Sequence, residues 1–415
     1  MVHRQGTGIG LTPSRIAITV RGGFMGTLGS LPPIPYLLGL MTRLTPIIAF
    51  CFICLIALPT NAESPLLLLE DPDAWFRVDG SEESFTFNDG AVEIGWADNN
   101  PSVLLSKKIF ENFEASFEFN TSKWCESGFF ISAPSNGATR AGIEVELNNQ
   151  VSEPPSVLDG GALFREVPPL VPAMNPYETS NTCWVKMDWP RLMVKINDKV
   201  VQDIDLSEHP RLKYALRRGS VGFQSSAGTI HIRNFSISPL PDSENGIVAI
   251  PDQGLDGWQV VNSRNSWENR DGVIHAEDGN GYLLFNKVCQ DFDFHCLYRT
   301  SPNSNGGVFF RWVPGKSDDD YDRGNEIQIW DNRDTITPSG SVYHFDRGNE
   351  FAFEPREWNV LQIFVRGSHA KTFINGVPSA ETDSLTAIRP GHIVLQMHRT
   401  HAWVEWKEMI LVPRD

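Results

Sequence analysis

Residues 323–334 read RGNEIQIWDNRD. Glu326, Gln328 and Trp330 alternate there with Ile327 and Ile329. A period of two is the signature of a β-strand with one face in a core and the other turned outward. The outward row holds a carboxylate, an amide and an indole. Such a row is either an ordinary wet sheet surface or a face built for a polar ligand such as a sugar.

The rest of the chain repeats that rhythm. ASFEFNTS at 115–122 and FDFHCLYRT at 292–300 are further half-buried alternations, and Asn375-Gly376 is a strong hairpin signal because both positions accept positive φ. Hydrophobic residues make up 41% of 415, enough for a large core, and no long apolar helical repeat is visible. Many short strands between Gly, Pro and Asp punctuation predict an all-β protein of two-sheet sandwiches. A formal net charge of -16 argues against nucleic acid or an anionic membrane as partner, since both select basic surfaces.

From Met41 the sequence MTRLTPIIAFCFICLIALPTNAES has the parts of an export signal. Arg43 supplies the basic start, Ile47–Leu58 an apolar run of about a dozen residues, and Thr60-Asn61-Ala62 a small-residue cleavage site. The expectation is translation from Met41, a mature start at Glu63, and an exported protein with no membrane span after cleavage. Four cysteines then remain, Cys125, Cys183, Cys289 and Cys296. Pairing within each half and free buried thiols are both open.

The mature chain is a tandem repeat. SGFFISAP (127–134) parallels GVFFRWVP (307–314), GIEVELNNQ (142–150) parallels GNEIQIWDN (324–332), and INDKV parallels INGVP, in the same order in both halves. This divides the chain into an N-terminal extension (1–62), a first sandwich (63–239), a linker (240–254) and a second sandwich (255–415). In this alignment Phe309 and Phe310 fall on Phe129 and Phe130, Arg311 on Ile131, and His398 on Ser226. The second half alone then keeps Arg, Glu, Gln, Asp and His together. It is expected to carry any activity, with the first half a binding or structural copy.

The second half also resembles the 3-keto-disaccharide hydrolase domain family. The motifs are DGWQVVN with Trp258, WENRDGVIHAEDGNGYLLFNK (267–287), NGGVFFRW (305–312), GNEIQIWDN, SGSVYHF (339–345), EWNVLQIFVRGSHAKTFINGVP and RPGHIVLQMH (389–398). The first half looks like a diverged second copy. The resemblance implies concanavalin-A-like jelly rolls and an exported bacterial enzyme that cleaves 3-keto-glycosides. A ketone at C3 acidifies the C2 proton, so removing it lets the group on C1 leave, and water then adds.

On that reading Glu326 is the base, Arg311 or a bound cation steadies the enolate, and His398 is the acid. Gln328, Trp330, Asp331 and Tyr343 complete a substrate-binding set. Asp331 stands at an odd offset from Glu326, which on a regular strand sends it to the opposite face. That argues against a two-carboxylate hydrolysis using this pair. KSDDDYDRG (316–324) offers Asp318, Asp320 and Asp322 to a divalent cation, but Ile329 stands where a calcium loop needs its bidentate Glu, so a solvated acidic loop fits better. No GxSxG, HExxH or P-loop is present. The alternative function is a non-catalytic carbohydrate-binding protein, in which tandem units add avidity.

Overall fold

The computed structural model of the chain describes residues 65–95, 101–243, 246–264, 266–315 and 321–414. The export signal, Met41, and Asp318 and Asp320 lie outside the described residues. Among the described residues no helix is long and apolar enough to cross a membrane.

The alternating segments form the expected sandwiches, two concanavalin-A-like jelly rolls in tandem. In the first, a five-stranded sheet runs in the order Trp75–Asp79, Ser102–Phe110, Gly219–Ala227, Glu126–Ala133, Ile143–Glu146. A seven-stranded sheet packs against it, with Phe113–Thr121 between Asn181–Asp188 and Thr229–Pro239. The core between them is aromatic. Phe117 meets Phe223 edge-on at 5.2 Å between ring centres, and Phe129, Phe235 and Trp75 complete the group. Rings placed edge-on align positive edges with negative faces, worth about 0.5–1.5 kcal/mol per pair beyond burial.

The second sandwich joins its two layers through two long strands, Val273–Cys289 and Gly391–Pro413. One end of each pairs in the layer that includes Gly306–Pro314 and Asn325–Ile329. The other end pairs in the layer of Phe292–Thr300, Asn359–Arg366 and His369–Ile374. His401 sits at φ 57° between those two parts of Gly391–Pro413, where the strand changes layers. All four described cysteines are free and buried, so the paired-cysteine alternative is not realised. Burial pushes the Cys125 thiol up to about 12 and leaves it unreactive.

The two sandwiches touch closely. Ala141 and Leu216 of the first form an apolar cluster with Leu297 and Val360 of the second. Tyr214 packs on Phe364 and Phe373, and its carbonyl accepts from Gln362 Nε2 at 2.8 Å. The Asn375-Gly376 turn abuts the backbone of Arg140. Gly376 has φ 72°, and a Cβ there would collide with the Arg140 carbonyl. Gly376→Ala is therefore expected to lose about 1–3 kcal/mol from positive-φ strain and to separate the sandwiches. Scanning calorimetry checks it. The native chain is expected to melt in one transition because of this packing, and the transition should broaden or split in the variant.

Candidate functional site

Strand pairing brings the polar row together with residues distant in sequence. Glu326 lies across from Phe309 and Gln328 across from Gly307. Phe309 and Gly307 lie across from Val394 and Gln396. Those in turn face Leu284 and Tyr282, and His398 faces Asn280. Because alternate residues share a face, Glu326, Gln328, Phe309, Gln396, Tyr282 and His398 all lie on the outer side of one layer. Ile327, Ile329, Val308, Phe310 and Leu395 fill the core behind them.

This face is not an ordinary wet surface. Tyr282, Leu284, Phe309, Trp312 and Val394 form an apolar cluster of their own, each buried. Tyr282 and Trp312 are 4.9 Å apart between ring centres, Phe309 and Trp312 5.4 Å. The Arg323 guanidinium lies 5.5 Å from the centre of the Tyr282 ring, near enough for a cation–π attraction.

Glu326 borders this dry patch. A Cβ on Gly307 would come within 2.6 Å of Glu326 Oε1, so the carboxyl rests in space that only glycine leaves open. Burial raises the carboxyl from 4.5 to about 8, against the opposing pull of Arg323. Gln328 is buried, and its amide nitrogen donates to Asn305 Oδ1 at 3.3 Å and to Gly306 O at 3.1 Å. The segment Ser339–Phe345 runs along the strand's free edge. Gln328 N donates to Ser341 O and Tyr343 N to Glu326 O. That places Tyr343 next to Glu326, with the His344 ring 4.0 Å from its own. Trp330 is half-buried under Arg399, whose guanidinium is 5.0 Å from its ring. The His398 side chain is exposed, and its backbone N donates to Asn305 O.

Two of the expected site residues belong elsewhere. Arg311 is fully buried and holds loops together. Its Nε donates to Gln290 O, Nη1 to Ala387 O and Nη2 to Asp291 Oδ1, all within 3.0 Å. The reason is backbone: Arg311 adopts φ 57° at an irregularity between Phe309 and Trp312, so alternation fails there. Arg311 is corrected from enolate stabiliser to scaffold. Asp331 follows the end of its strand and is likewise corrected from substrate ligand to anchor. Its carboxylate accepts from Tyr298 Oη, Ser339 Oγ and Thr300 Oγ1 at 3.1, 2.6 and 3.2 Å. Burial raises it to about 6 despite those bonds. The odd offset from Glu326 separates them as the period demands. Asp322 is engaged by Arg389 Nη2 at 2.6 Å, which holds its carboxylate low. Among the described residues no cluster of three metal-ligating side chains occurs.

The registers also correct the alignment of the halves. Phe130 pairs with Glu144 as Phe309 pairs with Glu326, so Phe309 matches Phe130, one residue off the sequence alignment. Arg311 then matches Ser132, which shares its left-handed backbone at φ 56°. Sequence reading missed Tyr282, Trp312, Gln396, Arg323 and His344. All five fall within quoted motifs, but nothing in those motifs marks which strands meet in the fold.

A family profile described as 3-keto-alpha-glucoside-1,2-lyase-like domain matches residues 69–238 and 247–411. No curated protein matches the chain. Among solved structures, a candidate glycosyl hydrolase from Parabacteroides distasonis is 18% identical over 43% of this chain and 95% of its own, with TM-score 0.38. A carbohydrate-binding module from Bacillus subtilis is 11% identical over 40% and 95%, with TM-score 0.29. A beta-glucanase from Bacillus licheniformis is 11% identical over 42% and 100%, with TM-score 0.32. Likeness at these scores adds no weight to the site.

The raised Glu326 carboxyl makes a stability prediction. The folded chain keeps its proton between about 4.5 and 8, where the unfolded chain has released it. Stability from this residue therefore falls as pH rises through that window. Glu326→Gln removes the titration. The melting temperature of the variant should exceed that of the native chain by a margin that grows from pH 5 to pH 9, and paired thermal melts measure it.

Proposed function

Given that the chain belongs to the 3-keto-alpha-glucoside-1,2-lyase-like family, we infer that its second sandwich cleaves 3-keto-glycosides by removing the C2 proton. The observation that carries this is Glu326, a carboxyl beside an apolar aromatic patch with its proton affinity raised to about 8. A base for carbon acids works best when its affinity approaches that of the operating pH, and a dry wall strengthens it.

The ionised Glu326 takes the C2 proton, and the C–H electron pair forms an enolate across C2, C3 and the ketone oxygen. Arg323, whose charge already acts on Glu326, replaces Arg311 as the cation for that oxygen. The enolate pair then expels the C1 oxygen, which His398 protonates. Water adding across the new C1–C2 double bond completes hydrolysis. Gln328 and Tyr343 flank the base, and Trp330 offers an aromatic face for a sugar ring. Export through the Met41–Ala62 leader places this activity outside the cytoplasm, and Glu63 is the terminus expected on sequencing the secreted protein. The second reading, a carbohydrate-binding protein without turnover, is favoured by one feature. Trp124 is 71% exposed and stands 6.5 Å from Tyr177, a surface aromatic pair.

The test is product release from a 3-keto-glucoside and from its unoxidised parent. Only the keto sugar should react, with kcat/KM rising about tenfold per pH unit below 8 and levelling above it. Glu326→Gln should lower turnover by about 10²–10⁴-fold, the usual contribution of a positioned base. Glycan binding without product from either compound supports the second reading instead.

A further inference from the structure

On sequence the first half is expected to be a binding or structural copy, since Ile131 and Ser226 align there with Arg311 and His398. Arg311 proves to be scaffold, so its absence says nothing about chemistry. The first sandwich keeps the arrangement around Glu326 and adds to it. Glu144 lies across from Phe130, as Glu326 lies across from Phe309. It too occupies the space above a glycine, for a Cβ on Gly128 would collide with its carboxyl. Gln224, the counterpart of Gln396, donates Nε2 to Glu144 Oε1 at 2.5 Å. Where the second sandwich has Gln328, the first has a second carboxyl, Glu146, buried and accepting from Asn148 Nδ2 at 2.8 Å. Residues two apart on a strand share a face at about 7 Å.

A cavity of about 120 Å³ opens on Glu144. Phe164 and three arginines, Arg140, Arg165 and Arg211, line it. Phe164 N donates to Glu144 O, just as Tyr343 N does to Glu326 O, so Arg165 takes the place of His344. Arg165 shares that residue's left-handed backbone, φ 61° against 69°, and its guanidinium rests 4.8 Å from the centre of the Phe164 ring. Arg211 is paired with Glu166 at 2.5 Å. Among the described residues no ion pair engages Arg140 or Arg165. Of the two carboxyls only Glu144 lines the cavity, with Glu146 two residues along the same strand face, and the two guanidiniums without an ion pair, Arg140 and Arg165, line it beside Glu144.

We propose that the first sandwich holds a second, separate active site, in which Glu144 is the base, Glu146 the proton donor, and Arg140 and Arg165 receive a carboxylate on the sugar. Its substrates are 3-keto-glycosides of acidic sugars. The proposal rests on the chemistry inferred for Glu326. Glu144 takes the C2 proton, the freed pair becomes the enolate, and the enolate breaks the C1–oxygen bond. Glu146 gives its proton to the departing oxygen. The products are an alcohol and an unsaturated keto sugar, with one proton moved from Glu146 to Glu144 and exchanged back through solvent. Burial supports the roles. It raises Glu144 to about 7, against the Gln224 hydrogen bond and the Arg165 charge. It raises Glu146 to about 9, helped by the charges of Glu144 and Glu126. One carboxyl therefore releases its proton near neutral pH while its neighbour keeps one.

The experiment compares methyl 3-keto-glucoside with methyl 3-keto-glucuronide on the full chain. Glu326→Gln should lower release from the glucoside at least 100-fold and leave the glucuronide within threefold, and Glu144→Gln should do the reverse. If Glu326→Gln removes both activities and Glu144→Gln neither, the proposal is overturned while the reading of Glu326 stands. If the native chain turns over neither compound, the Glu326 reading fails and calorimetric binding of methyl glucuronide decides the site. Binding weakened at least tenfold by Arg165→Asn, a residue that tolerates the same backbone, retains the acidic-sugar site. Binding unchanged by that variant, or absent in the native chain, overturns it.

Discussion

A carboxyl group held against a neighbouring strand where only glycine leaves room is the constraint on which this molecule turns. Glu326 over Gly307 and Glu144 over Gly128 are the same device used twice. Glycine removes the side chain that would lift the carboxyl into water. The strands on either side then close around it with phenylalanine, leucine and valine. Isolating a charge in that way raises its proton affinity, because the ionised form loses hydration that the protein replaces incompletely.

The surrounding architecture keeps these sites from relaxing. In the second sandwich one long strand, Gly391–Pro413, contributes Val394, Gln396 and His398 to the outer face and continues into the opposite layer. Arg311 fastens the strand beside Glu326 to Gln290, Asp291 and Ala387. Asp331 fastens the strand end through Tyr298 and Thr300 on the facing layer. These residues matter to function by fixing where Glu326 stands. A buried guanidinium with several acceptors loses little to water and a great deal if cut, so Arg311 behaves as a rivet rather than a reagent.

Much of this was legible in the chain. Alternation gave the strands, the repeated blocks gave two sandwiches, and the odd spacing of Asp331 put it away from Glu326. Glu326 and Gln328 stood out because polar residues interrupted an apolar strand at period two. The failures have physical causes. A pair of adjacent phenylalanines aligns as well one residue out of register, so Phe309 was matched to Phe129 instead of Phe130. Arg311 looked outward because nothing in the letters marks its left-handed backbone. Tyr282, Trp312 and Gln396 come from strands that meet only in the fold. Glu146 was passed over for the opposite reason: reading the first half as degenerate made a second carboxyl look like drift.

The most direct measurement is titration of the Glu326 side-chain carboxyl carbon by NMR in the full chain, with Glu326→Gln to assign the signal. The expected midpoint is near 8, far above the ordinary 4.5. A midpoint close to 4.5 would mean that water reaches the carboxyl freely, and the outer face of the second sandwich would lose its claim to be a site of proton abstraction.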